Sequence, residues 1–285
     1  MEYIALNNGV KMPQEGYGVF QIPPEECERC VSDALSVGYR LIDTASSYGN
    51  EEGVGTAVRK SGVPREELFI TTKLWVQDTS YEGAKRAAGS SMKRLGLDYL
   101  DLYLIHQPFG DYYGAWRAME EMYREGMIRA IGVCNFDEAR LVDLCANHEI
   151  QPAVNQVEIH PFHQQTSAIQ TMRRYKVQPE AWGPLSEGQR NIFRHRLLSK
   201  IAARYGKSTA QVILRWHIQR GVVIIPKSAR KERMEENLNI WDFTLDSKDM
   251  DAITAMDIGH SEIINYYSAC TAKALNAAKI YEGRK

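Results

Sequence analysis

The fold is decided by residues 38–55, which read GYRLIDTASSYGNEEGVG. The apolar pair Leu41-Ile42 predicts a buried strand that ends at Asp43 and continues into a loop carrying Tyr48. A glycine-rich helix start follows this loop. In parallel sheets and barrels, functional groups lie where strands end and loops begin, and Asp43 and Tyr48 occupy that position. Taken alone, such an aspartate is more often a cap or turn residue and such a tyrosine a packing residue. The rest of the chain is therefore needed to distinguish a structural from a functional role.

On both sides of this stretch, strand-like runs alternate with helical patterns. Short apolar runs such as residues 99–105 and 222–225 are typical of parallel strands covered by helices. Eight such alternations over 285 residues predict a (β/α)₈ TIM barrel, an α/β fold. The predicted strands are residues 16–20, 41–43, 68–73, 100–105, 130–134, 154–158, 178–182 and 222–226, and the predicted helices are residues 24–37, 50–60, 81–95, 113–125, 137–147, 164–175, 208–220 and 231–239.

Three further elements lie outside the alternation. Two short apolar runs around Asn7-Asn8-Gly9 predict an N-terminal β-hairpin over residues 1–13. After the seventh strand we expect a loop with an extra short helix, and a further helix is expected over residues 246–256. Alanines in residues 269–278 predict a terminal helix inside a divergent C-terminal tail, residues 258–285. No linker-like composition interrupts the chain, so we expect a single barrel domain over residues 1–285.

The composition argues against several classes of function. Lys and Arg number 35 against 36 Asp and Glu, a formal charge of −1 that gives no global attraction to nucleic acid or to an anionic membrane. No apolar run reaches the roughly 20 residues that span a bilayer, and the N-terminus lacks a signal-peptide pattern. The five cysteines, an odd number, argue against a secreted disulfide framework, and the pair Cys27 and Cys30 falls inside a helical pattern. We therefore expect a cytoplasmic protein that acts as a monomer.

Polar residues at the predicted strand ends suggest acid–base chemistry at a tyrosine. A phenol is a poor proton donor at neutral pH unless its conjugate base is stabilised, and a nearby ammonium such as Lys73 would lower the pKa of Tyr48. A lysine in a half-buried mouth needs a counter-charge, for which Asp43 is available. His106, after the fourth strand, would orient a substrate carbonyl by a hydrogen bond. The four residues together predict a tuned general acid with a partner that orients the substrate.

A second feature is the basic segment after the eighth strand. Barrels often bind phosphate there with loop amides and a helix N-terminus, and Lys227, Ser228 and Arg233 add contacts suited to a phosphate monoester. A solvated basic helix face is the alternative. Glycine pairs at residues 16–18 and 53–55 do not complete a dinucleotide-binding fingerprint. Glu158, His160 and His163 could suggest a metal, but they span a strand end and a turn without completing a ligand shell, so we expect no metal.

Over residues 3–257 the chain resembles the aldo-keto reductase family. Residues 38–55 resemble the first signature of that family, and residues 225–237 resemble its nucleotide-binding signature. The resemblance implies a tetrad of Asp43, Tyr48, Lys73 and His106 with Tyr48 as proton donor. It also implies NADPH, preferred over NADH, bound across the barrel mouth. The implied cofactor contacts are Asn135 and Gln156 to the carboxamide, Trp182 stacked on the nicotinamide, Lys227, Ser228 and Arg233 at the 2′-phosphate, and Glu236 and Asn237 at the adenine.

The sequence departs from the family at Cys134, where many members have serine, and a thiol is a weak hydrogen-bond donor. The aromatic residues Phe20, Trp75 and Trp182 and the short segment at residues 108–113 resemble those of the compact microbial members, similar to 2,5-diketo-gluconate reductase and glyoxal or methylglyoxal reductases. The short segment implies an open, shallow pocket, lined by Phe20, Trp75 and Gln107.

These observations predict an NADP-dependent oxidoreductase that reduces a small aldehyde or ketone to an alcohol. Hydride would come from the nicotinamide and the proton from Tyr48. The alternative is a protein of this family that binds NADPH in a regulatory or structural role without significant turnover.

Overall fold

The computed structural model describes residues 2–281. Its largest element is a parallel eight-stranded sheet in which the strands follow one another in chain order. An antiparallel hairpin, β1 and β2, precedes the sheet. The strands are β1 Tyr3–Ala5, β2 Lys11–Pro13, β3 Tyr17–Gly18, β4 Leu41–Asp43, β5 Phe69–Leu74, β6 Leu102–Ile105, β7 Ile131–Cys134, β8 Val154–Glu158, β9 Gln178–Trp182 and β10 Val223–Ile224.

Backbone contacts between β3 and β10 close the sheet into a barrel. The amide of Gly16 donates to the carbonyl of Ile224 at 2.8 Å, and the amide of Gly18 donates to that of Pro226 at 3.2 Å. A parallel bridge pairs Glu15 with Ile224. A Cβ atom at Gly18 would lie 2.9 Å from the carbonyl oxygen of Ile225, so the two strands can approach this closely only because residue 18 is glycine.

Helices pack around the outside of the barrel, and short polar side chains begin several of them. The side chain of Ser80 accepts a hydrogen bond from the amide of Gly83, and Ser208 and Gln211 form a reciprocal capping box. The helices are α1 Pro24–Val37, α2 Glu51–Lys60, α3 Tyr81–Leu95, α4 Tyr112–Arg124, α5 Glu138–Asn147, α6 Thr166–Arg174, α7 Arg196–Tyr205, α8 Thr209–Gln219, α9 Lys231–Leu238, α10 Ser247–Thr254 and α11 Ala269–Ala277.

The predicted barrel, hairpin and C-terminal helices are confirmed. Each predicted strand overlaps an observed one, with β5 extending one residue beyond its predicted end, and the helix after the seventh strand is α7. Short 3₁₀ helices in the connecting loops were not predicted: Ser46–Tyr48, Arg65–Glu67, Val76–Asp78 and Ser186–Arg194. The predicted domain also includes residues 1 and 282–285, which lie outside the described residues.

Apolar side chains form two layers. One lies between the sheet and the helices, and the other fills the barrel interior. Leu6 and Met12 from the hairpin pack with Leu41, Phe69 and other interior side chains, so the hairpin plugs the amino-terminal end of the barrel. Polar residues are therefore concentrated at the opposite end, where the strands finish. Among residues 2–281, every helix is too short or too polar to span a bilayer.

Candidate active site

Five buried polar side chains form one layer across the barrel interior near the carboxyl ends of the strands. Four of them lie two or four residues after an interior apolar residue of their own strand segment, so strand alternation directs them inward. The fifth, Glu180, is in register with Gln156 and with the interior residue Val223. The five are Asp43 on β4, Lys73 on β5, Cys134 on β7, Gln156 on β8 and Glu180 on β9.

Lys73 is the centre of this layer, and its side chain is fully buried. Its ammonium group donates to Oδ1 of Asp43 at 2.5 Å and to the carbonyl of Thr44 at 2.9 Å. The third contact, at 3.4 Å, is to the hydroxyl of Tyr48. The 3₁₀ helix Ser46–Tyr48 carries the phenol back over the end of β4, and the hydroxyl of Ser46 fixes this turn by donating to the carbonyl of Lys73 at 2.9 Å. Lysine, carboxylate and phenol thus meet as predicted.

The net pKa of Tyr48 differs from the prediction. Burial raises it, Lys73 lowers it and Asp43 raises it, and the balance places the pKa of Tyr48 at about 12. The expected net decrease is wrong, because desolvation of the phenolate outweighs the nearby ammonium. Burial alone would lower the pKa of Lys73, but Asp43, Tyr48 and Cys134 raise it overall, so the lysine stays charged. At neutral pH this site therefore contains a protonated phenol beside an ammonium.

His106 follows β6, and its imidazole lies edge-on to the ring of Tyr48, with the centroids 5.6 Å apart. Burial, and then the charge of Lys73, lower the pKa of His106 well below its ordinary value, so the ring is neutral. Nδ1 lies 3.3 Å from the hydroxyl of Ser47, a partner that the sequence did not reveal. If Ser47 donates to Nδ1, the proton of the neutral ring is on Nε2.

Gln156 crosses the barrel interior. Its Nε2 atom donates to Oδ2 of Asp43 at 2.9 Å and to Oε2 of Glu180 at 3.0 Å. Because β8 and β4 are four strands apart in an eight-stranded barrel, the bond to Asp43 connects opposite walls. Both amide hydrogens are engaged, so only Oε1 remains for a ligand, and the thiol of Cys134 lies 3.9 Å from it.

Glu180 is an interior residue that was not predicted from the sequence. It is fully buried, and its Oε1 atom has no hydrogen-bond partner within residues 2–281. The available signal was the period of two in β9, which puts Glu180 on the same face as Trp182.

Asn135 and Trp182 form a second pair at the mouth. The indole N–H of Trp182 donates to Oδ1 of Asn135 at 2.8 Å, and Nδ2 of Asn135 donates to the carbonyl of His106 at 3.1 Å. Asn135 has φ of 61°, a left-handed conformation that asparagine tolerates better than most residues. This backbone conformation holds the amide between the indole and the tetrad histidine.

The predicted phosphate site has the opposite character. Lys227 and Arg233 are exposed, and neither forms an ion pair with any residue in the described part of the chain. Helix α9 begins beside them without a side-chain cap, so amides of its first turn remain available. Ser228 is buried, and its hydroxyl accepts from the amide of Arg230 at 3.1 Å. Glu236 and Asn237 lie further along α9, half-buried and buried. This donor set fits a phosphorylated nucleotide.

Two of the three predicted substrate residues lie against rings of the tetrad, and the third contacts Asn135. The ring of Phe20 lies 5.0 Å from that of Tyr48, and the ring of Trp75 lies 5.3 Å from that of His106. Oε1 of Gln107 lies 3.4 Å from Nδ2 of Asn135. Phe20 is 49% exposed, whereas Trp75 and Gln107 are 8% and 7% exposed. The pocket is therefore not open on the side of Trp75.

The C-terminal tail is what covers that side. The indole N–H of Trp75 donates to the carbonyl of Ala278 at 2.7 Å. The side-chain amide of Gln77 pairs with the backbone at both Ile280 and Tyr281, at 3.1 and 3.0 Å. Earlier in the tail, Tyr266 lies against Gln107. The short segment after β6 did not predict this cover.

Within residues 2–281 there is no group of three His, Cys, Asp or Glu side chains that could hold a metal ion. Both carboxylate oxygens of Glu158 are in hydrogen bonds, Oε1 with Nε2 of His160 at 3.0 Å and Oε2 with the hydroxyl of Ser261 at 2.6 Å.

Comparison with known proteins covers nearly the same region as the barrel. Residues 6–258 match the model of the aldo/keto reductase family. Glyoxal reductase of Bacillus subtilis (strain 168) is 49% identical over 256 residues, 89% of this chain and 92% of that protein. Methylglyoxal reductase DkgA of Escherichia coli (strain K12) is 44% identical over 259 residues, 90% of this chain and 94% of that protein.

A solved structure agrees with these matches. The crystal structure of the Bombyx mori aldo-keto reductase in complex with NADP is 34% identical to this chain with a TM-score of 0.88, and the match covers 92% of this chain and 95% of that one. The tail beyond residue 258 lies outside the family match. The chain therefore belongs to the aldo-keto reductase family and is an NADP-dependent oxidoreductase.

Proposed function

We propose that this protein reduces a small aldehyde or ketone with NADPH and that Tyr48 supplies the proton. The observation that carries the proposal is the position of the Lys73 ammonium, which lies 2.5 Å from the Asp43 carboxylate and 3.4 Å from the Tyr48 hydroxyl. Relatives named glyoxal reductase and methylglyoxal reductase support it.

Each tetrad residue has a distinct task. Tyr48 is protonated at neutral pH, so its hydroxyl can donate to the oxygen of a carbonyl that is becoming an alkoxide. Lys73 then stabilises the phenolate that remains, and Asp43 keeps Lys73 charged. His106, neutral and with Ser47 at Nδ1, would donate from Nε2 to the same carbonyl oxygen and orient it.

The nicotinamide cofactor, when bound, supplies the hydride that the carbonyl carbon accepts. Asn135, Trp182 and Oε1 of Gln156 would hold its ring and carboxamide, with the Cys134 thiol a weaker partner than serine. Lys227, Ser228 and Arg233 would hold a 2′-phosphate, and Glu236 and Asn237 would contact the adenine. Two exposed cations without acidic partners in residues 2–281 support a preference for NADPH over NADH.

The aromatic walls formed by Phe20 and Trp75 suit small carbonyl compounds, and glyoxal and methylglyoxal are the first to test. The alternative, an NADPH-binding protein of regulatory or structural function, is not favoured because the tetrad is assembled and the relatives compared are named as reductases. We also propose a single-domain, cytoplasmic monomer that binds neither nucleic acid nor membranes, consistent with its formal charge of −1.

The test is Tyr48→Phe, which keeps the ring and removes only the proton donor. We expect kcat with methylglyoxal to fall by about 10³-fold or more. Binding of NADPH, followed by quenching of protein fluorescence, should stay within about twofold of the wild-type affinity, because the phenol hydroxyl is not among the proposed cofactor contacts.

Tyr267→Phe, in a side chain that is 79% exposed, is the matched control and should leave both measurements unchanged. Unaltered turnover in Tyr48→Phe would refute the assignment of the proton donor. Absence of both turnover and NADPH binding in the wild-type protein would refute the function itself.

A further inference from the structure

Glu180 shares a buried layer with Asp43 and Lys73 and has no role in the proton transfer proposed for Tyr48. It is fully buried inside the barrel, in register with Gln156 on one side and Val223 on the other. Oε2 accepts from Gln156 at 3.0 Å, and Oε1 has no partner within residues 2–281. A buried carboxylate without a cation is costly, so this geometry needs an explanation.

The layer contains two carboxyl groups, those of Asp43 and Glu180, and one ammonium group, that of Lys73. Lys73 lies 2.5 Å from Asp43 and forms no ion pair with Glu180. One protonated carboxyl would make this buried layer neutral and avoid the cost of an unpaired carboxylate, and the contact with Lys73 favours Asp43 as the charged one.

Gln156 connects Glu180 to the tetrad. A single atom, Nε2, donates to Oδ2 of Asp43 at 2.9 Å and to Oε2 of Glu180. Oδ1 of the same Asp43 carboxylate holds Lys73, which lies 3.4 Å from the Tyr48 hydroxyl. A continuous chain of hydrogen bonds thus runs from Glu180 to the proton donor.

We infer that Glu180 is a positioning residue that carries a proton in the active enzyme, and that loss of this proton sets the upper pH limit of turnover. The inference rests on the proposed function of Tyr48 and Lys73. Protonated Glu180 orients the Gln156 amide without adding charge. Deprotonated Glu180 places a second negative charge in the layer, competes with Asp43 for Nε2, and offsets the stabilisation that Lys73 gives to the Tyr48 phenolate.

The titratable groups facing Glu180 are Asp43 from β4, Lys73 from β5 and Cys134 from β7, while Val223 of β10 is apolar. Burial and then Asp43 raise the pKa of Glu180, Gln156 and Lys73 lower it, and the result is about 8. This value agrees with a group that is protonated at neutral pH and titrates within the range in which the enzyme can be assayed.

The experiment compares the pH dependence of kcat/KM for NADPH-dependent methylglyoxal reduction in wild type and Glu180→Gln. Glutamine keeps the shape and an acceptor for Gln156 but cannot ionise. At neutral pH we expect Glu180→Gln to remain within about threefold of wild type. One pH unit above a pKa of about 8, kcat/KM of the wild type should have fallen about tenfold, whereas kcat/KM of Glu180→Gln should not show this fall. Identical alkaline limbs in the two proteins would overturn the inference.

Glu15→Gln is the matched control, because Glu15 is equally buried but lies outside the barrel interior, and its alkaline limb should follow wild type. A second readout needs no cofactor or turnover. The infrared difference spectrum of wild type minus Glu180→Gln should show a protonated carboxyl band at pH 7 that disappears at alkaline pH. Absence of this band would also overturn the inference, whereas its presence in a protein without turnover would instead locate the failure in the proposed function.

If Glu180→Gln does not fold, the infrared spectrum is recorded instead on the Glu15→Gln variant labelled with ¹³C-glutamate. The labelled protonated-carboxyl band that remains at pH 7 should then be that of Glu180, and no remaining band would contradict the inference.

Discussion

Two groups of positive charge lie at the carboxyl ends of the strands, and they differ in burial and in ion pairing. Lys73 is fully buried, within 2.5 Å of Asp43, and in contact with Tyr48. Lys227 and Arg233 are exposed and form no ion pair with any residue from 2 to 281. The first charge is fixed by the protein itself, and the second is available to a ligand.

The roles proposed for the two groups of charge account for this difference. A cation that stabilises a developing phenolate must be held in place in a medium of low polarity, where its effect is large but its own desolvation has to be offset by a counter-ion. A cation that binds a phosphate gains most when its partner is the ligand, because an internal ion pair would compete. Under the proposed function, the buried and paired cation would serve the chemical step, and the exposed, unpaired cations would serve binding of the cofactor phosphate.

The largest test of this comparison is Lys73→Met. Removing the ammonium leaves the Tyr48 phenolate without its stabilising cation, so we expect kcat for methylglyoxal reduction to fall by about 10³-fold or more. The same change leaves the buried Asp43 carboxylate unpaired, which should lower the free energy of unfolding by about 3–5 kcal/mol. Steady-state kinetics and urea unfolding followed by circular dichroism measure the two effects.

The double variant Lys73→Met/Asp43→Asn separates them. It removes both charges, so it should recover most of the lost stability without recovering turnover. Recovery of turnover in the double variant would show that Lys73 acts only through folding, and the distinction between chemical and binding charges would fail.

A smaller effect is expected at the exposed charges. Arg233→Ala should raise the Kd of NADPH by about 10-fold to 100-fold, the range for a lost charge-assisted hydrogen bond. The Kd of NADH should change by no more than about twofold, and kcat at saturating NADPH should stay near that of wild type. Fluorescence titration with both nucleotides measures the first two quantities.

Arg124→Ala, an exposed arginine on helix α4, is the matched control and should change neither affinity. Equal losses of NADPH and NADH affinity in Arg233→Ala would mean that the 2′-phosphate is bound elsewhere. A loss of kcat would mean that this exposed cation also contributes to the chemical step.

The sequence could indicate where the residues of both regions lie because their signals are local. Asp43 and Lys73 lie at or next to the ends of β4 and β5, and Lys227 and Arg233 lie just before and within the first turn of α9, positions that the strand–helix alternation locates. It did not predict the pKa of Tyr48 in the right direction, since burial of the phenol depends on packing by distant segments. The bond from Trp75 to Ala278 joins residues 203 positions apart, in a tail outside the family match. No periodicity in either segment could have shown that contact.

The smallest effect is expected at Glu15, a buried carboxyl group that has no cation beside it. Its side chain lies against Trp241 and Tyr39, but neither carboxyl oxygen has a partner at hydrogen-bond geometry within residues 2–281. Burial raises the pKa of Glu15 to about 8, while Trp241 and Tyr39 lower it. The folded protein therefore keeps this proton over a range of pH in which the unfolded chain has lost it.

The sign of the effect on stability follows from proton uptake. Below pH 4.5, the ordinary pKa, both states hold the proton, and Glu15 has no pH-dependent effect. Between pH 4.5 and about 8 the folded state alone holds it, so Glu15 makes the protein less stable as the pH rises, and above about 8 the cost is constant. Glu15→Gln removes this dependence, so its stability relative to wild type should increase by about 1.4 kcal/mol between pH 6 and pH 7. Urea unfolding at the two pH values measures the difference.

Glu66→Gln, at an exposed carboxyl group, is the control and should show no such increase in stability relative to wild type. A parallel pH dependence in Glu15→Gln and wild type would mean that Glu15 is ionised in the folded protein and that a buried carboxylate can remain there without a cation.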